Sequence, residues 1–231
     1  MNVAIVVAGG KGIRFGGNRP KQFLELNAIP IIVHTLRQFE RSKQIDSVVV
    51  VLPPTEMAAF QSLPDRFDLK KVARVVAGGE TRAQSVQKGL AAIEEAEVVA
   101  VHDGVRPLVT ADEIDRVVIA AAANGAAVLV AEVAETIKEI ENNKIARTLP
   151  RDKLRRALTP QCFRFDLLER AYEGLAEIEA SGIEVTDDSF LVERLGVNVV
   201  AISGSARNIK ITNEEDLLFA EAILRSVVSG Q

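Results

Sequence analysis

Cysteine and histidine are scarce, with one and two respectively in 231 residues. Cys162 has no partner for an intrachain disulfide, and a zinc site built from Cys and His lacks ligands. No apolar run approaches the ~18 residues that a membrane-spanning helix needs, so no membrane partner is expected. No basic leader precedes the first apolar run, and that run ends in glycines rather than at a cleavage site. The expected setting is therefore cytoplasmic, with the thiol reduced. Nor is there an excess of positive charge: 28 Lys and Arg stand against 32 Asp and Glu, for a net charge of -4. A general nucleic-acid binder wants a basic field, so no nucleic-acid partner is expected. Cations that serve an anionic ligand must be gathered locally.

Apolar residues, at 48%, are plentiful enough for a sizeable core, and the length suits a single α/β domain over residues 1–231. Short apolar runs recur at Val3–Val7, Val48–Leu52, Val72–Ala77, Val98–His102, Ala126–Ala131 and Val197–Ile202. Helix signals lie between them. Thr81-Arg82-Ala83-Gln84 and Thr110-Ala111-Asp112-Glu113 read as capping boxes, and Thr212-Asn213-Glu214-Glu215 opens a last helix over Asp216–Val228. Strand–helix alternation predicts an α/β fold, a mostly parallel sheet with helices on both faces. One stretch departs from it. Residues 135–141 alternate with period two, Asn142-Asn143 supplies a turn, and 144–149 return. This predicts a β-hairpin arm over 135–150, lying either on its own domain or on a second subunit.

In such sheets ligands sit outside the carboxyl ends of the strands. The first strand runs into Ala8-Gly9-Gly10-Lys11-Gly12-Ile13-Arg14, and Lys21 follows shortly after. Glycines let a backbone approach a ligand and turn its amides toward it. Cations on both sides of the loop point to a polyphosphate. The loop is neither of the two common kinds. Lys11 is followed by Gly12 where a Walker loop needs Ser or Thr, and Phe15 stands where a dinucleotide loop needs its last glycine. A plain strand-to-helix turn is the rival reading.

Three further strand ends are polar. Gly78, Gly79 and Ser85 suit a nucleobase edge, although a helix-capping turn would also explain them. Asp103 stands where a carboxylate holds a divalent cation against phosphates, while an Asp-Gly pair also serves as a simple turn. His102 reads as a packed strand-end residue and His34 as structural, because no nucleophile adjoins either. Ala206 to Lys210 forms the fourth polar segment. Lys153, Arg155 and Arg156 read as a solvated basic face, and Thr186-Asp187-Asp188 as the N-cap of a helix that Gly196 stops.

Six ordered blocks carry a resemblance: Gly9 to Arg14 with Pro20-Lys21-Gln22, Gly78 to Arg82, His102 to Pro107, Leu158 to Gln161, Thr186 to Asp188, and Asn208 to Thr212. They resemble the 2-C-methyl-D-erythritol 4-phosphate cytidylyltransferase family over nearly the whole chain. The resemblance implies a Rossmann-like nucleotidyltransferase domain whose hairpin arm builds a homodimer. It implies cytidylyl transfer from CTP to 2-C-methyl-D-erythritol 4-phosphate in the non-mevalonate isoprenoid pathway, with Mg²⁺ or another divalent cation. Arg14 and Lys21 then match the catalytic cations. Ala8, Gly9, Gly10, Lys11, Gly12, Gly79, Glu80, Ser85 and Arg106 match the nucleotide site, and Asp103 the metal-associated acid. Arg151, Thr186 and Lys210 match the sugar-phosphate site, with Thr136 and Thr159 nearby and Arg151 reaching across the dimer. The fused cyclase domain of bifunctional relatives is not expected. Gly104-Val105 stands where the best-known members carry Ala-Ala. A cytidylyltransferase for ribitol 5-phosphate or another polyol phosphate is therefore the alternative, and a non-catalytic nucleotide-binding regulatory domain a third reading.

Overall fold

The structure, a computed structural model, describes residues 1–9 and 20–228. β1 (Asn2–Val7) leads, after a 3-10 turn at Lys21–Phe23, to the small hairpin β2 (Glu25–Leu26) and β3 (Ile29–Pro30) and then to α1 (Ile31–Arg41). β4 (Ser47–Leu52), the short helices α2 (Met57–Phe60) and α3 (Leu63–Arg66), and β5 (Val72–Ala77) follow. Next come α4 (Arg82–Leu90), β6 (Val98–Asp103), α5 (Ala111–Asn124) and β7 (Ala126–Glu132). The arm is β8 (Lys138–Glu141) and β9 (Lys144–Thr148). The chain closes with β10 (Arg155–Arg164), α6 (Phe165–Glu173), α7 (Leu175–Ala180), α8 (Asp188–Glu193), β11 (Val200–Ser203) and α9 (Glu214–Val228).

Among the described residues the main sheet has seven strands in the order β11-β7-β10-β6-β1-β4-β5. β10 runs antiparallel to both its neighbours, and the other pairings are parallel. The inner strands are buried on both faces, which is why they read as unbroken Val, Ile and Ala rather than as alternation. In β1, Ala4 and Val6 face the cluster that holds Leu36, Phe39, Ile114 and Val117 from α1 and α5. Val3, Ile5 and Val7 face Val86, Leu90, Leu168 and Tyr172 from α4 and α6. Successive strands proceed outward from β1 through β4 to β5, then resume on its other side at β6. That reversal places a crevice outside the carboxyl ends of β1 and β6, where Val7 pairs with Asp103.

The six predicted strands are present, with β11 running from Val200 to Ser203 instead of 197–202. The last helix begins at Glu214, two residues earlier than expected, because the Asn213 side chain accepts from the Asp216 amide and caps it. Thr110 forms the full capping box with Glu113. At Thr81 only half the box forms. Its side chain accepts from the Gln84 amide, but Gln84 Oε1 accepts from the Glu80 amide. β10 has no counterpart in the sequence reading. Its first residues are charged and exposed, Pro160 lies mid-run, and the register against β7 breaks between Ala157 and Gln161, so neither an apolar run nor a clean alternation marks it.

The hairpin arm is present. Asn142 and Asn143 both take positive φ, 49° and 61°, as a two-residue turn matched to strand twist requires. Among the described residues β8 and β9 pair with each other and not with the main sheet. Their cross-strand pair Ile140 and Ile145 is 55% and 64% exposed.

Candidate active site

The crevice outside β1 and β6 is a cavity of about 270 Å³. Val7, Ala8 and Gly9 enter it from the end of β1, and Asp103 and Val105 from the end of β6. Lys21 and Gln22 come from the 3-10 turn, Glu80, Thr81, Arg82 and Ser85 from the start of α4, and Lys210 from the loop before α9. The end of β1 is placed by backbone hydrogen bonds, Ala8 N–H to Val51 O at 2.8 Å and Gly104 N–H to Val7 O at 2.8 Å. Gly104 has a packing reason. A Cβ there would lie 2.9 Å from Ala8 Cβ and 3.2 Å from Val7 O, so this departure from Ala-Ala answers to the strand beside it. Gly79 is similarly constrained, because a Cβ would meet the Gln84 side chain at 2.4 Å. Its amide donates to Ser85 Oγ at 3.0 Å, and that hydroxyl donates to Thr81 O at 2.9 Å.

Asp103 sits at the centre of the charge. Arg82 Nε donates to its Oδ1 at 3.0 Å, and Arg106 Nε and Lys210 Nζ reach its Oδ2 at 3.2 and 3.0 Å. Burial alone would raise its pKa, but Arg82, Lys210 and Arg106 outweigh that and hold the carboxyl well below the usual range. Arg82 also donates through Nη2 to Asp188 Oδ2 at 2.9 Å, and Tyr172 Oη donates to Asp188 Oδ1 at 2.5 Å. Burial disfavours a charged Arg82, yet Asp188 and Asp103 together keep it firmly protonated. Arg106 extends through Nη1 to Asn208 O at 2.9 Å.

Behind Asp103, His102 is fully buried and neutral. Its Nδ1 faces Thr159 Oγ1 at 2.9 Å and its Nε2 faces Arg106 O at 3.2 Å. Thr159 Oγ1 also accepts from the Asp103 amide at 3.2 Å. Donor order follows from those contacts: the hydroxyl donates to Nδ1 and Nε2–H donates to the carbonyl. Burial pushes the His102 pKa down to about 3. Cys162 is also fully buried, which pushes its thiol up and removes it as a nucleophile.

The structure therefore brings together Ala8, Gly9, Lys21, Glu80, Ser85, Asp103 and Lys210 from the sequence reading. Gly79, Arg106 and Thr159 stand directly behind them through the bonds above. Thr136 and Arg151 lie exposed near the arm, where Arg151 Nη1 donates to Ala134 O at 2.6 Å. Thr186 is exposed just before α8, whose N-cap is Asp187 as expected. Gly10, Lys11, Gly12 and Arg14 lie outside the described residues. Arg82 has no role in the sequence reading, although a cation in the first turn after a glycine loop is a usable signal. The Asp188–Tyr172 support has none, since it joins residues of separate helices through a bridge to α4.

A divalent cation fits this donor set in one way. Among the described residues no three His, Cys, Asp or Glu side chains converge, and both Asp103 oxygens already accept from cations. Such a site suits Mg²⁺ carried by phosphates and faced by one carboxylate, rather than a cage made of protein.

The profile of the 2-C-methyl-D-erythritol 4-phosphate cytidylyltransferase family matches residues 2–226. The 2-C-methyl-D-erythritol 4-phosphate cytidylyltransferase of Geobacillus kaustophilus is 44% identical over 223 residues, covering 96% of each chain. A solved 4-diphosphocytidyl-2C-methyl-D-erythritol synthase from Anaerococcus prevotii has a TM-score of 0.84 at 31% identity, covering 97% of this chain and 98% of its own. The Thermus thermophilus 2-C-methyl-D-erythritol 4-phosphate cytidylyltransferase has a TM-score of 0.77 at 33% identity, covering 97% of this chain and 100% of its own.

Neutral burial of His102 makes stability depend on pH. Its folded pKa lies below its unfolded value, so its contribution is complete above about 6.5 and is lost as pH falls toward 3. His34, lowered by burial, acts in the same direction. Between pH 7.5 and 5.5, His102 alone should cost about 1.4 kcal/mol of unfolding free energy. Urea unfolding at the two pH values measures it, and His102→Gln should flatten the difference. An equal pH dependence in that variant would refute the assignment.

Proposed function

The chain belongs to the 2-C-methyl-D-erythritol 4-phosphate cytidylyltransferase family, and on that premise we propose how its cavity transfers the cytidylyl group of CTP to 2-C-methyl-D-erythritol 4-phosphate. The products are 4-diphosphocytidyl-2-C-methyl-D-erythritol and pyrophosphate, in the non-mevalonate isoprenoid pathway. The observation that carries this reading is the array of Arg82, Arg106 and Lys210 about one carboxylate, with Lys21 in the wall of the same cavity. An oxygen of the sugar phosphate attacks the α-phosphorus, and the bond to the bridging oxygen of pyrophosphate breaks. The attacking phosphate is already ionised, so no base is needed. Fixed charge and in-line positioning remain as the protein's task.

In this reading Lys21 stabilises the transferring phosphoryl group together with Arg14, which lies outside the described residues. Gly79, Glu80 and Ser85 receive the cytidine, and Ala8 to Gly12 the triphosphate. Asp103 keeps Lys210 and Arg82 in place at the cavity wall, with Arg106 behind them, and would face Mg²⁺ carried by the phosphates. Bound Mg²⁺ neutralises charge on the triphosphate. Val105 is packed with Leu26, Ile31 and Ile211, and Gly104 is set by Ala8, so both departures from Ala-Ala have packing grounds in this chain.

The arm supports a homodimer. A free-standing two-stranded hairpin is marginal in water, and its exposed Ile140–Ile145 pair gains by docking on a second copy. Arg151, next to the arm, then reaches the partner's cavity with Thr136, while Lys210 serves its own, with Thr186. A reduced, cytoplasmic location accords with the unpaired Cys162. Among the described residues no helix is long and apolar enough to cross a membrane.

Pyrophosphate release should require CTP and Mg²⁺, and methylerythritol phosphate should exceed ribitol 5-phosphate in kcat/KM. Preference for the ribitol ester would replace the substrate assignment, and no release with any polyol phosphate would replace the reaction. Lys21→Ala should lower kcat about 10²–10³-fold, the usual loss of one such donor, with a smaller change in KM; near-normal turnover removes Lys21 from the transition state. The shared site can be tested by mixing. Arg151→Ala and Lys210→Ala should each raise KM for the sugar phosphate and leave that for CTP near wild type. After verified subunit exchange, the mixed dimer should regain activity, because one of its two sites receives both intact cations. No gain over the separate mutants rejects a site built from two subunits.

A further inference from the structure

Gln22 follows Lys21 in the 3-10 turn at the cavity wall. Its side chain is fully buried, at 0% exposure. Among the described residues neither its Oε1 nor its Nε2 has a hydrogen-bond partner. Two other buried amides are short of a partner, but each keeps one bond. Asn208 Nδ2 donates to Thr159 O at 2.9 Å, and Asn2 Nδ2 donates to Gln44 O at 2.8 Å. A buried amide with both ends unpaired costs stability. Leucine would fill nearly the same volume without that cost.

The penalty has meaning where Gln22 stands. The cavity it helps to line also holds Lys21, Asp103 and Lys210. We infer that Gln22 is a substrate-binding residue whose Nε2 donates to a phosphate oxygen of CTP, with Oε1 accepting from a hydroxyl or water bound alongside. The inference rests on the proposed reaction and adds a residue to it. A rotamer change that turns the amide toward the phosphates breaks no hydrogen bond among the described residues. The gain on binding is correspondingly complete: an amide unpaired before the ligand arrives becomes paired to an ionised oxygen. The stability forgone in the free protein returns as affinity.

That exchange separates binding from architecture. In Gln22→Leu the free protein should melt no lower than wild type, and higher by about 4 °C or more if the penalty of both unpaired groups is relieved. Its KM for CTP should rise roughly tenfold, the value of one hydrogen bond to a charged group. KM for the polyol phosphate should stay near wild type, and the rise in Tm produced by CTP with Mg²⁺ should shrink. Gln22→Glu keeps shape and acceptor but loses the donor and adds a negative charge, so it should bind CTP more weakly than Gln22→Leu. The inference is overturned if Gln22→Leu keeps the wild-type KM for CTP and the full Tm rise. It is also overturned if the free variant melts lower while both KM values and kcat worsen together, the mark of a structural role, or if Gln22→Glu binds CTP as wild type does. A wild type that neither binds nor turns over CTP overturns the functional reading as well, which distinguishes the two failures.

Discussion

The Asp103 carboxylate is the constraint on which the rest of the site depends. Three segments far apart in sequence converge on it: the end of β6 with the turn that carries Arg106, the first turn of α4, and the loop that carries Lys210. Three cations would repel one another if left in a partly buried crevice. One carboxylate accepting from all three makes their gathering possible, and the low local dielectric strengthens each contact. The strand register determines where this happens. Val7 opposite Asp103 places the start of the glycine loop and the carboxylate side by side at the point where the strand order reverses.

The same carboxylate is itself held from behind. Thr159 Oγ1 accepts from its amide, His102 takes the hydroxyl proton of Thr159, and Arg82 ties its far side through Asp188 to Tyr172. This backing is buried and hydrogen-bonded, so the side chains that face the ligand rest on a rigid frame. It also explains the neutral histidine. Held between Thr159 and the Arg106 carbonyl, His102 orients its neighbours from within the core. The mouth of the cavity differs in character, with Lys210 38% exposed and Glu80 and Thr81 at the surface, where side chains can exchange partners for a substrate.

Much of the fold is legible because buried parallel strands leave a strong trace. Layers of helix cover both faces of the sheet, so Val, Ile and Ala fill consecutive positions, and the six apolar runs mark six strands to within a few residues. The full cap at Thr110, the turn at Asn142-Asn143 and the cap at Asp187 are legible for local reasons, since each is made within a few residues of chain. β10 escapes because its stability comes from two flanking strands, β6 and β7, rather than from its own pattern. Gln84 Oε1 accepts from the Glu80 amide instead of that of Thr81, a choice between two adjacent amides that the residue types leave open.

By itself the sequence determined the class of fold, the strand ends that bear ligand groups, and the polarity of the chemistry. Apolar runs choose strands through burial, and glycines beside cations imply an anion at close approach. Only the tertiary structure decided which of those groups share a cavity. It gave Arg82 its bridge between Asp103 and Asp188, and it buried the side-chain amide of Gln22, a residue of the cavity wall, with no hydrogen-bond partner among the described residues. These outcomes are set by contacts between residues more than 100 positions apart, as for Arg82 with Asp188 and Lys210 with Asp103, and such contacts arise from how strands order and helices pack, which no local pattern encodes.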